Sequence, residues 1–175
     1  MLVALALGAW TGVAPFAALT WSWRGLAWGI LATAPLLLGL RWALRTRWPP
    51  VARLVHLVEA RLAPMFAGST AAELVLVAAL AGLGEEVLFR GAIQPALAAH
   101  VPIWAAVAIT AGIFGLAHAL TPAYAVLAAL VGTYLGCLFI ATGTLLAPVT
   151  AHALYDVVAL AALAAVKPDP TPSVL

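Results

Sequence analysis

Charge is what this sequence has least of. Only 8% of its 175 residues are charged and 66% are hydrophobic, where an average soluble domain is about 25% charged and about 45–50% apolar. Eight basic and six acidic side chains cannot cover a water-facing surface, so an ordinary soluble fold is excluded. Disorder is excluded as well, because it requires low hydrophobicity and mean hydropathy here is +1.13. Collagen and coiled-coil repeats are missing. The single cysteine, Cys137, lies in an apolar run, so no intrachain disulfide can form and the redox compartment stays open. The N-terminal run MLVALALGAW has no Lys or Arg in front of it, unlike a cleavable signal peptide, and reads as a retained first span.

What the sequence does have is a series of apolar segments. Runs at 2–21, 25–40, 71–94, 101–120, 122–141 and 145–166 approach the length of about 20 residues that a transmembrane helix needs. The predicted fold class is therefore all-α, a polytopic membrane bundle of about six transmembrane helices. Residues 1–70 form an N-terminal two-span region with a basic loop, 71–166 a polar-bearing core, and 167–175 a Pro-rich, disordered tail. Five of the eight basic residues fall between Arg41 and Arg61. Beside hydrophobic segments this pattern sets topology and outlines no nucleic-acid footprint. It makes that loop cytoplasmic and, with six spans, both termini cytoplasmic. The stretch 51–62 is amphipathic, opened by Pro49-Pro50 and closed by Pro64, and is expected to lie along the membrane surface.

A charge in the hydrocarbon costs on the order of 3 kcal/mol or more, so the intramembrane ionisable groups are the candidate functional residues. Glu85, Glu86 and Arg90 lie in GLGEEVLFRGAIQ, His118 in FGLAHAL, and His152 and Asp156 in AHALYD. Glu86 and Arg90 are i,i+4 and can pair, as can His152 and Asp156. Two carboxylates beside one arginine can divide roles, one neutralised and one acting as a base. Two histidines add proton handling, oxyanion stabilisation or metal ligation. The same residue types also serve as polar glue between helices or as a proton relay in a transporter. Gly132 and Gly136 form a GxxxG spacing that favours close helix packing. Gln94 and Tyr155 could line the polar centre. His56 and His100 are expected to be solvated, and Glu59 and Glu73 interfacial.

At these residues the sequence resembles the CPBP family of intramembrane glutamic-type endopeptidases (CAAX proteases and bacteriocin-processing enzymes, also called the Abi or Rce1-like family). Glu85 to Arg90, followed by Gly91, resembles its EExxxR motif with the FRG continuation. Phe114 to His118 resembles FxxxH, and His152 to Asp156 resembles HxxxN or HxxxD. The three occur in order over roughly residues 71–160. The resemblance implies an integral membrane protein of a bacterial or archaeal cell membrane whose partners are the lipid bilayer and a membrane-anchored peptide. The substrate classes it covers are a prenylated CAAX-like tail, a bacteriocin leader and a C-terminal sorting signal. It implies that Glu85 is the general base, activating water with His118. His152 and Asp156 would hold the oxyanion, and Glu86 and Arg90 would order the site. Asp156 stands where the CAAX branch has Asn. An ionised carboxylate only accepts hydrogen bonds, so Asp156 either orients His152 or is protonated.

No cofactor is expected. Zinc on Glu85, Glu86, His118 and His152 is the alternative, although there is no HExxH and Arg90 would repel a cation. Proton-coupled transport and a non-catalytic immunity or scaffold role are the alternative functions. Depth poses a problem. At about 1.5 Å per residue, Glu85 falls near mid-membrane, His118 near the end of its segment and His152 near the start of its own. Straight spans would not bring them together. Tilted helices, or a break at Gly82 or Gly84, would.

Overall fold

The computed structural model describes residues 1–166, and the expected disordered tail at 167–175 lies outside them. The described chain is all-helical: α1 (Leu2–Thr11), α2 (Trp23–Arg45), α3 (Pro49–Phe66), α4 (Ala71–Glu86), a π-helical segment (Val87–Ile93) running into α5 (Gln94–Ala98), α6 (Ile103–Ala117), α7 (Pro122–Thr142) and α8 (Leu146–Ala164). Every apolar segment read from the sequence overlaps one of these helices, although α2 overruns the segment 25–40 at both ends. α8 is the hub, packing on α2, α4 and α7, while α6 and α7 form an antiparallel pair.

The burial pattern is that of a protein solvated by lipid. Large apolar side chains point outward: Leu2, Trp10, Leu116, Leu80 and Leu130 are all exposed. The interior is built from Ala and Gly, and Arg90, Gln94, Glu86 and Thr110 are among its largest fully buried side chains. In lipid the drive to bury leucine is absent, so small residues that let backbones approach, together with polar groups that need partners, go inside. Gly82 shows the close approach: a Cβ there would sit about 3 Å from the Ala153 backbone of α8. The chain is an integral membrane protein.

α2, α7 and α8 are each long and apolar enough to cross a membrane by themselves. α3 and the continuous helix 71–98 meet that test only as a pair, bent by 114° between them. The bend suits a helix that lies across the direction of the spans. α3 begins at Pro49 and Pro50, where prolines cost no hydrogen bond, but it runs to Phe66, so Pro64 does not close it as expected. α4 starts with a capping box absent from the sequence reading. Thr70 N–H and Oγ1–H donate to Glu73 Oε2 at 2.7 and 2.9 Å, and Glu73 N–H donates to Thr70 Oγ1 at 3.3 Å. Glu73, expected as merely interfacial, ties down the start of the helix that carries the motif.

The first segment is not a straight span. α1 has 10 residues, about 15 Å of helix against a hydrocarbon core of about 30 Å. Gly12 takes φ 75° and ends it, and the chain folds back so that Val13 and Pro15 lie against Gly8. This hairpin tucks inward. Leu145 N–H donates to Ala18 O at 2.8 Å, and Thr144 Oγ1–H lies 3.2 Å from Ala18 O and 3.3 Å from Thr20 O. Ala4 packs with Val87, Ala92 and Leu145. With α1 this short, the placement of the N-terminus no longer follows from counting six crossings.

Candidate active site

Three elements bring the candidate residues together: the α4–π junction, the C-terminal end of α6, and the second and third turns of α8. Neither Gly82 nor Gly84 breaks a helix, so the break, of the two alternatives, is not the one the chain uses. Instead α4 passes through Glu85 and Glu86 into a π-helical turn, in which Gln94 N–H donates to Phe89 O. π-helical turns are rare and are often found at functional sites. The depth problem is solved mainly by α6. It has only 15 residues, about 22 Å of helix, too short to cross the hydrocarbon core. Its C-cap, His118, therefore stops inside the bundle, at the level of Glu85.

All six candidates converge. One layer is fully buried. Arg90 Nη1–H donates to Glu86 Oε1 at 2.7 Å, and Nη2–H donates to Gly132 O at 2.6 Å. His152 Nδ1 lies 2.8 Å from the same Glu86 Oε1. Facing a carboxylate, Nδ1 must carry the proton and donate. Glu86 and Arg90 are wholly buried and the His152 side chain is 7% exposed. The Arg90 guanidinium carbon lies 5.0 Å from the centre of the Phe114 ring, a cation–π distance, and Phe89 packs edge-on to Phe114 with ring centres 4.9 Å apart.

The second layer is open. Glu85, His118 and Asp156 have side chains 32%, 31% and 22% exposed. Glu85 Oε2 lies 3.4 Å from His118 Nε2 and 4.0 Å from His152 Nε2. Asp156 Oδ2 lies 3.4 Å from His152 Nε2. His118 Nδ1 is 2.8 Å from Phe114 O, so Nδ1–H donates there and Nε2 is left to face Glu85. The His118 ring stacks on Phe114, with centres 4.3 Å apart, which fixes its plane. The two adjacent glutamates thus have opposite environments, because successive residues of a helix point about 100° apart: Glu86 turns inward to Arg90 and Glu85 turns to the opening.

Some contributors were not evident in the sequence. The Gly132 carbonyl holds Arg90, and the only hint was the GxxxG spacing. Gly91 faces the N-terminal hairpin, where a Cβ would collide with the Pro15 carbonyl oxygen. Thr110, buried on α6 one turn before Phe114, left no signal at all. Gln94 is buried, in keeping with its candidacy for the polar centre. Tyr155 is half-buried with no side-chain hydrogen bond among the described residues. His100 is exposed, and His56 pairs loosely with Glu59 at 3.6 Å on the surface.

Among the described residues no group of three or more His, Cys, Asp or Glu is arranged to hold a metal ion. Of the four ligands in the zinc alternative, Glu86 is committed to Arg90 and His152, and His152 has one ring nitrogen committed to Glu86. The geometry therefore lends that alternative no support.

Three motifs in order, converging on one buried Glu–Arg–His cluster, define a membrane-embedded polar site of one kind. The sequence matches the family of type II CAAX prenyl endopeptidase Rce1-like proteins over residues 67–158, more than half of the chain. The chain belongs to the Rce1-like family. No curated protein and no solved structure matches it.

Proposed function

We propose that this protein is an intramembrane endopeptidase that hydrolyses a peptide bond of a membrane-anchored substrate with water activated by Glu85 and His118. The observation that carries this reading is the position of Glu85. Its carboxylate faces His118 Nε2 at 3.4 Å on the open side of a site whose other side is sealed by Glu86 and Arg90. A water that bridges the Glu85 carboxylate and an unprotonated His118 Nε2 from the open side can lose a proton to either as its oxygen attacks the scissile carbonyl carbon. General base catalysis of this kind contributes about 10²–10⁴-fold.

The other residues take supporting roles. Arg90 neutralises and fixes Glu86, and Glu86 fixes His152 through Nδ1. His152 Nε2 then faces the same space as Glu85. To donate a hydrogen bond to the tetrahedral oxyanion from Nε2, His152 must be doubly protonated, with carboxylates on both sides balancing its charge. Asp156, 3.4 Å from that nitrogen, orients the ring and does not itself donate. Its position beside that nitrogen supports the orienting role of the two left open for Asp156. Membership of the family favours a prenylated C-terminal tail as the substrate over a bacteriocin leader or a sorting signal.

The test is cleavage of a prenylated C-terminal peptide by the chain purified in detergent. Wild-type protein and Glu85→Gln are compared by mass spectrometry, with circular dichroism to show that both are folded. Product from the wild type and a loss of at least about 10²-fold in the variant are expected. Equal cleavage by the two proteins would overturn the assignment. Solute flux into proteoliposomes without cleavage would favour a transporter.

A further inference from the structure

The polar atoms on the far side of Arg90 play no part in the arrangement described above. Gln94 is 1% exposed and neither its amide oxygen nor its amide nitrogen has a hydrogen-bond partner. Thr110 is as deeply buried, with an unpartnered hydroxyl, and Arg90 Nε is unpartnered too. Buried polar groups almost always find a partner, because leaving them dry is costly. Thr110 also differs from Thr33, Thr133 and Thr142, which lie within helices as it does. Thr33, Thr133 and Thr142 each donate to the carbonyl four residues back, at 2.9, 2.9 and 2.8 Å. The hydroxyl of Thr110 makes no such bond and is free to serve another group.

Neighbours on α7 and α6 relate the positions of these groups. Gln94 follows Arg90 by one helical turn, and the two meet α7 one turn apart, at Gly136 and Gly132. A Cβ on Gly136 would sit 3.0 Å from Gln94 Oε1 and 3.3 Å from Val107 of α6. Phe114 of α6 packs against Arg90. Val107, Thr110 and Phe114 share one face of α6 by their three- and four-residue spacing. Thr110 therefore falls between the level of Gln94 and the level of Arg90.

We infer that Gln94 and Thr110 form a closed water-binding site against Arg90 Nε, and that Gln94 is through it a positioning residue for the catalytic cluster. A buried water typically makes about three hydrogen bonds. Here it accepts from Arg90 Nε–H, donates to Gln94 Oε1 and is completed by the Thr110 hydroxyl. The guanidinium is then held at three corners: Nη1 on Glu86, Nη2 on Gly132 and Nε on the water. Because Glu86 in turn holds His152, the angle of the guanidinium sets the angle of that ring.

A crystal structure of the wild-type protein grown from lipid, at a resolution that reveals ordered water, tests the site directly. Density within hydrogen-bonding distance of Arg90 Nε and the Gln94 amide is expected. A dry pocket, or a direct Gln94–Arg90 bond, overturns the inference whatever becomes of the peptidase assay. The kinetic consequence rests on the endopeptidase reading. Gln94→Leu should lower kcat about tenfold at unchanged KM, and Thr110→Val about threefold. The double variant should be no worse than Gln94→Leu alone, because both release the same water. Losses that multiply, an unchanged kcat in Gln94→Leu, or a higher melting temperature for that variant would each overturn it.

Discussion

His152 Nδ1 and Glu86 Oε1 lie 2.8 Å apart, and the same oxygen receives Arg90 at 2.7 Å. One carboxylate oxygen therefore couples α8 to the π-helical segment, and its charge is compensated from both sides. In a low-dielectric interior such a pair is tolerable only when both partners are present.

Removing either partner should therefore cost more than removing both. Glu86→Gln or Arg90→Met leaves a charge without its counter-charge, and each should destabilise the fold by about 3–5 kcal/mol. The double variant should recover part of that loss. Unfolding by titrating a denaturing detergent, followed by circular dichroism, reads all three. Additive losses would show that the two side chains do not act as a pair.

Asp156 should tolerate amidation better than truncation. The carbonyl oxygen of an asparagine can still accept from His152 Nε2–H, so Asp156→Asn should keep kcat within about tenfold of wild type. Asp156→Ala, which leaves the ring without its partner, should lose about 10²-fold, the upper end of the loss when partners of metal-bound histidines are removed. An inactive Asp156→Asn with an active Asp156→Ala would contradict the orienting role.

Gly91 should resist any side chain. The Pro15 carbonyl occupies the place of a Cβ, so Gly91→Ala must push the N-terminal hairpin away, at about 1–3 kcal/mol for an overpacked interior. Limited proteolysis should then cut near residues 12–20 faster than in wild type. An unchanged cleavage pattern and melting temperature would show that the hairpin does not rest on the motif.

Chelation should leave activity intact. Glu86 Oε1 is shared between Arg90 and His152, and the described residues contain no metal-holding group. Dialysis against a strong zinc chelator should change the cleavage rate by less than about twofold, or about 0.4 kcal/mol. Loss of activity restored by added zinc would return Glu85, Glu86, His118 and His152 to the role of ligands.

Much of this site was legible in the sequence because the membrane makes ionisable residues conspicuous. Glu85, Glu86, Arg90, His118, His152 and Asp156 stand out against apolar surroundings, and their i,i+4 spacings already pair Glu86 with Arg90 and His152 with Asp156. The hairpin at residues 12–20 was not legible. An apolar run has the same composition whether it crosses or turns back, and only its contacts with Gly91 and Leu145 distinguish the two. The π-helical turn left no mark on residue type, and Thr110 was one threonine among several.

The sequence by itself determined the solvent of this protein, the helical class and the identity of the residues that meet. Those follow from composition and from the period of the α-helix. The spacing already paired Glu86 with Arg90, but only the tertiary structure decided that this pair is sealed together with His152 while Glu85 faces the opening. That arrangement depends on the direction in which α4 presents each side chain to α6 and α8, and on an α6 too short to carry His118 past the level of Glu85. Local spacing brings groups to the same face of one helix, whereas packing between helices sets their environment and so divides their roles.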